Sequence, residues 1–271
     1  MNITFIGGGN MADALVGGLR KKGFDAASLQ VVEIDEGQRR RIEGKYPGVR
    51  CFRQARGSIR QDDVVLFAVK PQQMRGAARS CGLAKDGNLV VSIAAGITLT
   101  SLARWLGGYQ RMIRAMPNTP ALIGEGITGL YAMPGTAESD MRDAETILGA
   151  VGATVRIGEA DKMDAVTAVS GSGPAYVFFF IEALEQAAKE LGLSGDAAHK
   201  LALHTFSGAA KLAAASPDPV SELRERVTSK GGTTEAALAS MARDHVREAI
   251  VRAIHAANAR GRELGAQLDE D

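Results

Sequence analysis

Two hydrophobic rhythms divide this chain. Through the first half, short aliphatic and β-branched runs recur between longer windows with helical spacing. Ile3–Ile6, Leu29–Val32, Val64–Val69, Leu89–Ile93, Met112–Arg114 and Ile127–Tyr131 read as strands, closed off by Gly, Pro, Asn or Asp. Val64-Val65-Leu66-Phe67-Ala68-Val69 shows no polar alternation, which suits a strand covered by helices on both faces. Between the first two strands, Met11–Lys21 sets Leu15, Val16 and Leu19 on one face. This alternation predicts an α/β domain built on a Rossmann-like, doubly wound sheet.

Near Gly158 the character changes. From Asp161 onward no strand pattern remains, and Ala, Leu, Glu, Lys and Arg predominate. The boundary is expected there, with a dinucleotide-binding domain over residues 1–158 and an all-α C-terminal dimerisation domain over 159–271. One long window carries Val166, Val169, Gly173, Val177, Phe180, Ile181, Leu184 and Leu191 on a stripe, with Phe178 and Phe179 off it. A helix apolar nearly all round needs cover on several sides, and a small helical domain offers little, so an intertwined homodimer is expected. Pro174 predicts a kink or interruption at Ser170–Gly173. Further helical windows run over Asp196–Ala215 and Glu235–Leu264, the latter broken near Arg243-Asp244, with Pro217-Asp218-Pro219 as the turn between them.

Composition narrows the partners. Of 271 residues, 45% are hydrophobic and 23% charged, a globular balance. A net charge of +1 gives no electrostatic footprint for nucleic acid. The apolar run Tyr176–Ile181 ends at Glu182, too short to span a bilayer. Neither a basic n-region nor a signal-like apolar core opens the chain, and its two cysteines, Cys51 and Cys81, have no metal-site spacing. A cytoplasmic protein with reduced thiols is expected. The four histidines (His199, His204, His245, His255) fall in helix-like stretches without HxxH or HExxH spacing, so no metal is expected.

Gly7-Gly8-Gly9-Asn10-Met11-Ala12 directly follows the first strand and opens the first helix. It matches GxGxxG/A: Gly7 permits the tight turn, Gly9 admits a diphosphate to the backbone, and Ala12 lets helix and strand approach. Glu33 ends the second strand, where an acid takes the ribose hydroxyls of NAD and repels a 2′-phosphate; Arg39, Arg40 and Arg41 follow as candidate partners for that phosphate or as a solvated face. Phe67-Ala68-Val69-Lys70-Pro71 and Ser92-Ile93-Ala94-Ala95-Gly96 end two more strands at the carboxyl edge of the sheet, where ligands bind. In Arg114-Ala115-Met116-Pro117-Asn118-Thr119-Pro120, two prolines stiffen a polar loop, making Asn118 a candidate for orienting cofactor or substrate. Last, Thr228-Ser229-Lys230-Gly231-Gly232-Thr233-Thr234 precedes a helix. Its N–H groups and hydroxyls suit a carboxylate, although Thr233 or Thr234 could be a plain N-cap.

Taken together these segments resemble the pyrroline-5-carboxylate reductase family over nearly the whole chain. The most specific pieces are Ala115-Met116-Pro117-Asn118-Thr119-Pro120-Ala121, Ser170-Gly171-Ser172-Gly173-Pro174-Ala175-Tyr176 and Gly231-Gly232-Thr233-Thr234. The resemblance implies hydride transfer from NADP(H) or NAD(H) to the imine carbon of pyrroline-5-carboxylate, giving L-proline in the last step of its biosynthesis. It also implies a homodimer, often within a larger ring of dimers. It maps cofactor contacts onto Gly7, Gly8, Gly9, Asn10, Met11, Ala12, Ala68, Val69, Lys70, Pro71, Ala94, Ala95 and Gly96. Ser229, Gly231, Gly232, Thr233 and Thr234 become the carboxylate loop, with Thr234 as the catalytic hydroxyl near the ring nitrogen. Lys230 replaces the family's usual proline, and Glu33 departs from the hydroxylated or amide residue usual in NADPH users.

The chain lacks a Tyr-Lys or His-Asp pair in place to act as a general acid. A protonated cyclic imine needs none, because reduction leaves a neutral amine; positioning is the main requirement. Other readings are a different imine reductase, a β-hydroxyacid dehydrogenase or a non-catalytic NAD(P) sensor. The hydroxyacid reading wants a lysine on the long helix, and Lys162 and Lys189 flank its apolar stretch rather than lying in it.

Overall fold

The computed structural model describes residues 1–83 and 87–270. The chain runs β1 (Ile3–Ile6), α1 (Asn10–Lys21), β2 (Leu29–Val32), α2 (Glu36–Lys45), β3 (Arg50–Phe52), β4 (Val64–Phe67), α3 (Pro71–Cys81) and β5 (Leu89–Ser92). It continues through α4 (Leu99–Trp105), β6 (Met112–Met116), β7 (Gly126–Ala132), α5 (Glu138–Leu148) and β8 (Gly152–Arg156). One sheet results, in the order β3-β2-β1-β4-β5-β6-β7-β8, with only the β6–β7 pair antiparallel. The strand order reverses at β1, which pairs with β2 on one side and β4 on the other. That switch point opens a crevice beyond the carboxyl ends of β1 and β4.

Strand alternation builds the two cores. Ile3, Phe5, Val64 and Leu66 face one side, packed with Leu15, Val16 and Leu19 of α1. Ile6, Val65 and Phe67 face the other, with Met74 of α3 and Leu102 and Trp105 of α4. The hydrophobic pattern does not announce β3 and β8. They are the two edges of the sheet, half-buried or exposed, so they carry little apolar signal. The expected runs Val64–Val69 and Leu89–Ile93 stop at Phe67 and Ser92, where the chain turns toward α3 and α4.

Compact packing divides elsewhere than the change in composition at Gly158. One unit comprises Met1–Ser172 with Ala257–Asp271, the other Gly173–Ala256. Residues beyond 158 join the first unit because α6 (Met163–Val166) and the π-helical turn Thr167–Gly171 are packed into it. Met163 and Ala168 are buried, and Asp164 pairs with Arg114 of β6 at 3.0 Å. Gly129 and Gly171 leave no room for a Cβ against Val166 and Met116. The end of the last helix joins them: Leu268 packs on the second core, and Asp269 accepts hydrogen bonds from Ser101 and Arg104.

The second unit holds α7 (Gly173–Glu190), α8 (Gly195–Ala215), α9 (Val220–Arg226), α10 (Thr233–Arg243) and α11 (Val246–Glu270) as far as Ala256. The expected interruption is the π turn itself, and Pro174 sits in the first turn of α7, where its missing N–H costs nothing. Pro217–Pro219 does not lead straight to the next window; Pro219 starts the additional helix α9. His245 is not helical, since it holds φ +52° at the break between α10 and α11. Phe180 of α7 stacks on Phe206 of α8, and His199 pairs with Glu185 at 2.8 Å. Yet no residue of α7 is buried, and Phe178 and Phe179 are 61% and 67% exposed. Among the described residues of this unit only Ala198 and Ala202 are buried, too little for a core. No helix among the described residues is long and apolar enough to cross a membrane.

Self-association of that apolar face is the expected consequence. Phe179→Glu should lower the native mass in sedimentation velocity; a variant that keeps the wild-type mass would remove Phe179 from the interface. The α1–α2 contact yields a pH prediction. Lys45 donates to both Asp13 carboxylate oxygens at 2.9 and 3.0 Å, with Arg41 3.6 Å away. Burial pushes the Asp13 carboxyl up, but hydrogen bonds from Lys45 and Tyr46 and the nearby cations outweigh it and hold the group below its ordinary value. A depressed carboxylate stabilises the fold above its unfolded pKa and loses that contribution as pH falls through the folded one. Asp13→Asn should therefore cost about 0.5–1 kcal/mol at pH 7, fading in acid below about pH 4. Urea unfolding of both proteins across this range checks it; a difference independent of pH would contradict the ion pair's role.

Candidate functional site

The crevice is made by main chain. Gly7 donates its N–H to Val32 O at 2.8 Å, and Ala68 donates to Ile6 O at 2.8 Å, tying the ends of β1, β2 and β4 together. Gly7 holds φ +103°, and a Cβ there would lie 2.9 Å from the Ala68 carbonyl, so only glycine fits. Gly8 is equally closed: its Cβ would meet Ile42 at 2.9 Å and Glu33 at 3.2 Å. Gly9 differs. It is the N-cap of α1, gives that helix no side-chain cap, and has nothing within 4 Å of a built Cβ. The first bond in this turn is Asp13 N–H to Gly9 O at 2.9 Å, so the Asn10, Met11 and Ala12 N–H groups have no intrahelical partner. With the helix dipole they suit an anion.

Glu33 stands beside this loop. Its carboxylate accepts from Gly8 N at 2.8 Å and from Asp35 N at 2.9 Å. A cavity of about 640 Å³ opens next to it, lined by Gly7, Glu33, Arg53, Arg56 and Val69 among others. Sequence reasoning missed Arg53 and Arg56, which follow the weakly patterned edge strand β3. Ala68 and Val69 lie half-buried past β4, and Lys70 is the exposed N-cap of α3 with Pro71 as its first residue. Ala94 is buried, while Ala95 and Gly96 are partly open. Gly96 O lies 2.9 Å from a Cβ built on Gly265, so α11 covers this turn at van der Waals range. Asn118 is a brace: Oδ1 accepts from Ile127 N at 2.9 Å, and Nδ2 donates to Ser170 O at 3.2 Å. One of its amide hydrogens stays free for a ligand.

In the second unit, the residues from Ser229 to Thr234 form a second glycine-led helix start. Gly231 holds φ +73° and donates to Glu235 Oε2 at 2.6 Å; Gly232 donates to Ser229 O at 3.0 Å. The N-cap of α10 is Gly232, again without a side-chain cap. Neither Thr233 nor Thr234 caps the helix, so the plain N-cap reading of these hydroxyls fails. Both lie in the first turn, Thr233 exposed and Thr234 half-buried, without hydrogen-bond partners among the described residues. Lys230 is exposed.

Comparison with known proteins assigns both units. Residues 160–264 match the family model described as pyrroline-5-carboxylate reductase dimerisation, and residues 2–96 match NADP oxidoreductase coenzyme F420-dependent. The chain is 42% identical over 269 residues to the pyrroline-5-carboxylate reductase of Pseudomonas aeruginosa, covering 99% of this chain and 98% of that one. The chain belongs to the pyrroline-5-carboxylate reductase family. A solved family member from Coxiella burnetii superposes with a TM-score of 0.92 at 39% identity, over 97% of this chain and 98% of its own. The Plasmodium falciparum enzyme, solved with NADP bound, gives 0.85 at 27% identity, over 98% of each chain. The family's dimerisation model starts two residues from the compositional change at Gly158 and takes in the exposed apolar helix α7.

The residues around β1 fit a dinucleotide: an uncapped helix start, two glycines with no room for a Cβ, and an acid at the end of β2. Because Gly9 is open on the protein side, Gly9→Val should still fold yet fill the diphosphate seat. NAD(P)H fluorescence titration should then show affinity lower by at least about tenfold. Wild-type affinity would exclude this loop from binding.

Proposed function

We propose that this protein reduces 1-pyrroline-5-carboxylate to L-proline with NAD(P)H, as a cytoplasmic homodimer whose dimers gather into a larger ring. The observation that carries this reading is the pair of glycine-led, uncapped helix starts, at Gly9 and at Gly232. One suits a diphosphate and the other a carboxylate. Gly7–Ala12, Glu33, Ala68–Pro71, Ala94–Gly96 and Asn118 are the cofactor residues of this proposal. Ser229, Gly231, Gly232 and Thr233 hold the substrate carboxylate, and Thr234 directs its free hydroxyl to the ring nitrogen.

A bound nicotinamide supplies the hydride. The chain's part is to fix the imine carbon in reach and keep the ring nitrogen protonated, so that reduction leaves a neutral secondary amine. No anion develops at the reacting atoms, and no strong acid is required. Orientation of this kind lowers a barrier by on the order of 7–11 kcal/mol. The lysines a hydroxyacid dehydrogenase would need are poorly suited: Lys162 lies 3.7 and 3.9 Å from Asp161 and Glu159, and Lys189 lies 4.0 Å from Glu185.

NAD(P)H oxidation with pyrroline-5-carboxylate, a six-membered cyclic imine and a β-hydroxyacid under the reverse conditions tests the reading; turnover only of the hydroxyacid would overturn it. Loss of a hydrogen bond to a charged ring should make Thr234→Val at least about tenfold lower in kcat/KM, with cofactor affinity unchanged. Unaltered kinetics would remove Thr234 from the site.

A further inference from the structure

We infer that Glu33 makes this protein prefer NADH over NADPH, by holding a fixed negative charge where the 2′-phosphate of NADPH would lie. The inference rests on the dinucleotide reading of the glycine loop and goes beyond it, since the matched NADP oxidoreductase model and the NADP-bound Plasmodium falciparum structure both point toward NADPH.

Three observations carry it. First, the carboxylate is immobilised by the loop that seats the diphosphate: Gly8 N–H and Asp35 N–H each hold one of its oxygens. The absence of a Cβ at Gly8 lets Glu33 come this close. Its backbone is fixed as well, because Glu33 N donates to Phe52 O of β3 at 2.9 Å. A carboxylate anchored in this way is a pre-set acceptor for the two ribose hydroxyls.

Second, the cations that follow Glu33 are already engaged. Arg39 donates to the Glu33 and Ile34 carbonyls at 2.6 and 2.8 Å, bracing the β2–α2 turn. Arg40 pairs with Glu36, and Arg41 lies 3.6 Å from Asp13. None of the three pairs with the Glu33 carboxylate, and no ion pair to Glu33 exists among the described residues. The charge that meets the cofactor is thus un-neutralised, and like charge against a 2′-phosphate is strongly disfavoured.

Third, Arg53 and Arg56 line the same cavity from the β3 side. They are latent phosphate ligands: they share the cavity with the Glu33 carboxylate, and with that charge removed by substitution they would present the cationic wall that a 2′-phosphate needs. Glu33 therefore sets the sign of the preference and the arginines set how far its removal reverses it.

Calorimetric titration with ADP-ribose and 2′-phospho-ADP-ribose tests the assignment on the full-length protein without turnover. Wild-type protein should bind ADP-ribose at least about tenfold more tightly. Glu33→Gln keeps the side-chain length and an acceptor for a main-chain N–H. It should strengthen 2′-phospho-ADP-ribose binding enough to abolish or invert that ratio, and Arg53→Ala in the Glu33→Gln background should undo the gain. A wild-type preference for 2′-phospho-ADP-ribose, or a ratio unmoved by Glu33→Gln, would overturn the inference while leaving dinucleotide binding intact. If neither compound binds, the dinucleotide reading fails and the inference falls with it.

Discussion

The approach of three main-chain segments at the sheet's switch point governs everything that the first unit does. Gly7 turns the chain with positive φ so close to the Ala68 carbonyl that a Cβ there would lie 2.9 Å from it. That contact brings the ends of β1, β2 and β4 together and aims the open start of α1 into the crevice. A side chain at Gly7 would force β1 and β4 apart, and one at Gly8 would displace Ile42 from the core and Glu33 from the rim. The loop's chemistry lies in N–H groups left over by helix geometry at Asn10, Met11 and Ala12, and the close packing at Gly7 and Gly8 fixes where that helix starts.

The helical unit obeys a different constraint. No residue of its apolar helix α7 is fully buried within its own chain, although aromatic stacking on α8 orders part of it. An exposed apolar face of that kind marks an association surface, and it lies within the residues that match the family's dimerisation model. The uncapped start of α10 costs the helix little, because glycine at the N-cap is only about a few tenths of a kcal/mol worse than a capping side chain.

Much of this was legible in the sequence where local physics and packing agree. The glycine loop was readable because a tight turn and close main-chain approach both demand small residues at adjacent positions. The central strands were readable because burial on both faces leaves them mostly apolar, β4 entirely so. Edge strands β3 and β8 were not: with one flank open, Arg50 and Arg156 are as acceptable as valine. Missing β3 meant missing Arg53 and Arg56, whose place beside Glu33 depends on a pairing between β2 and β3. The packing boundary at Ser172 was likewise hidden, since Asp164, Val166 and Gly171 join the first unit through contacts remote in sequence. Asn118 was recognised as special by its flanking prolines, but its bracing bonds to Ile127 and Ser170 appear only in three dimensions.

The central claim is that the amides at the start of α1 are the seat of a diphosphate. A crystal structure of the protein with NADH bound tests it most directly. The account predicts diphosphate oxygens about 2.7–3.2 Å from the backbone nitrogens between Gly9 and Ala12, with the adenosine ribose beside Glu33. A cofactor bound with its diphosphate away from this turn would contradict it.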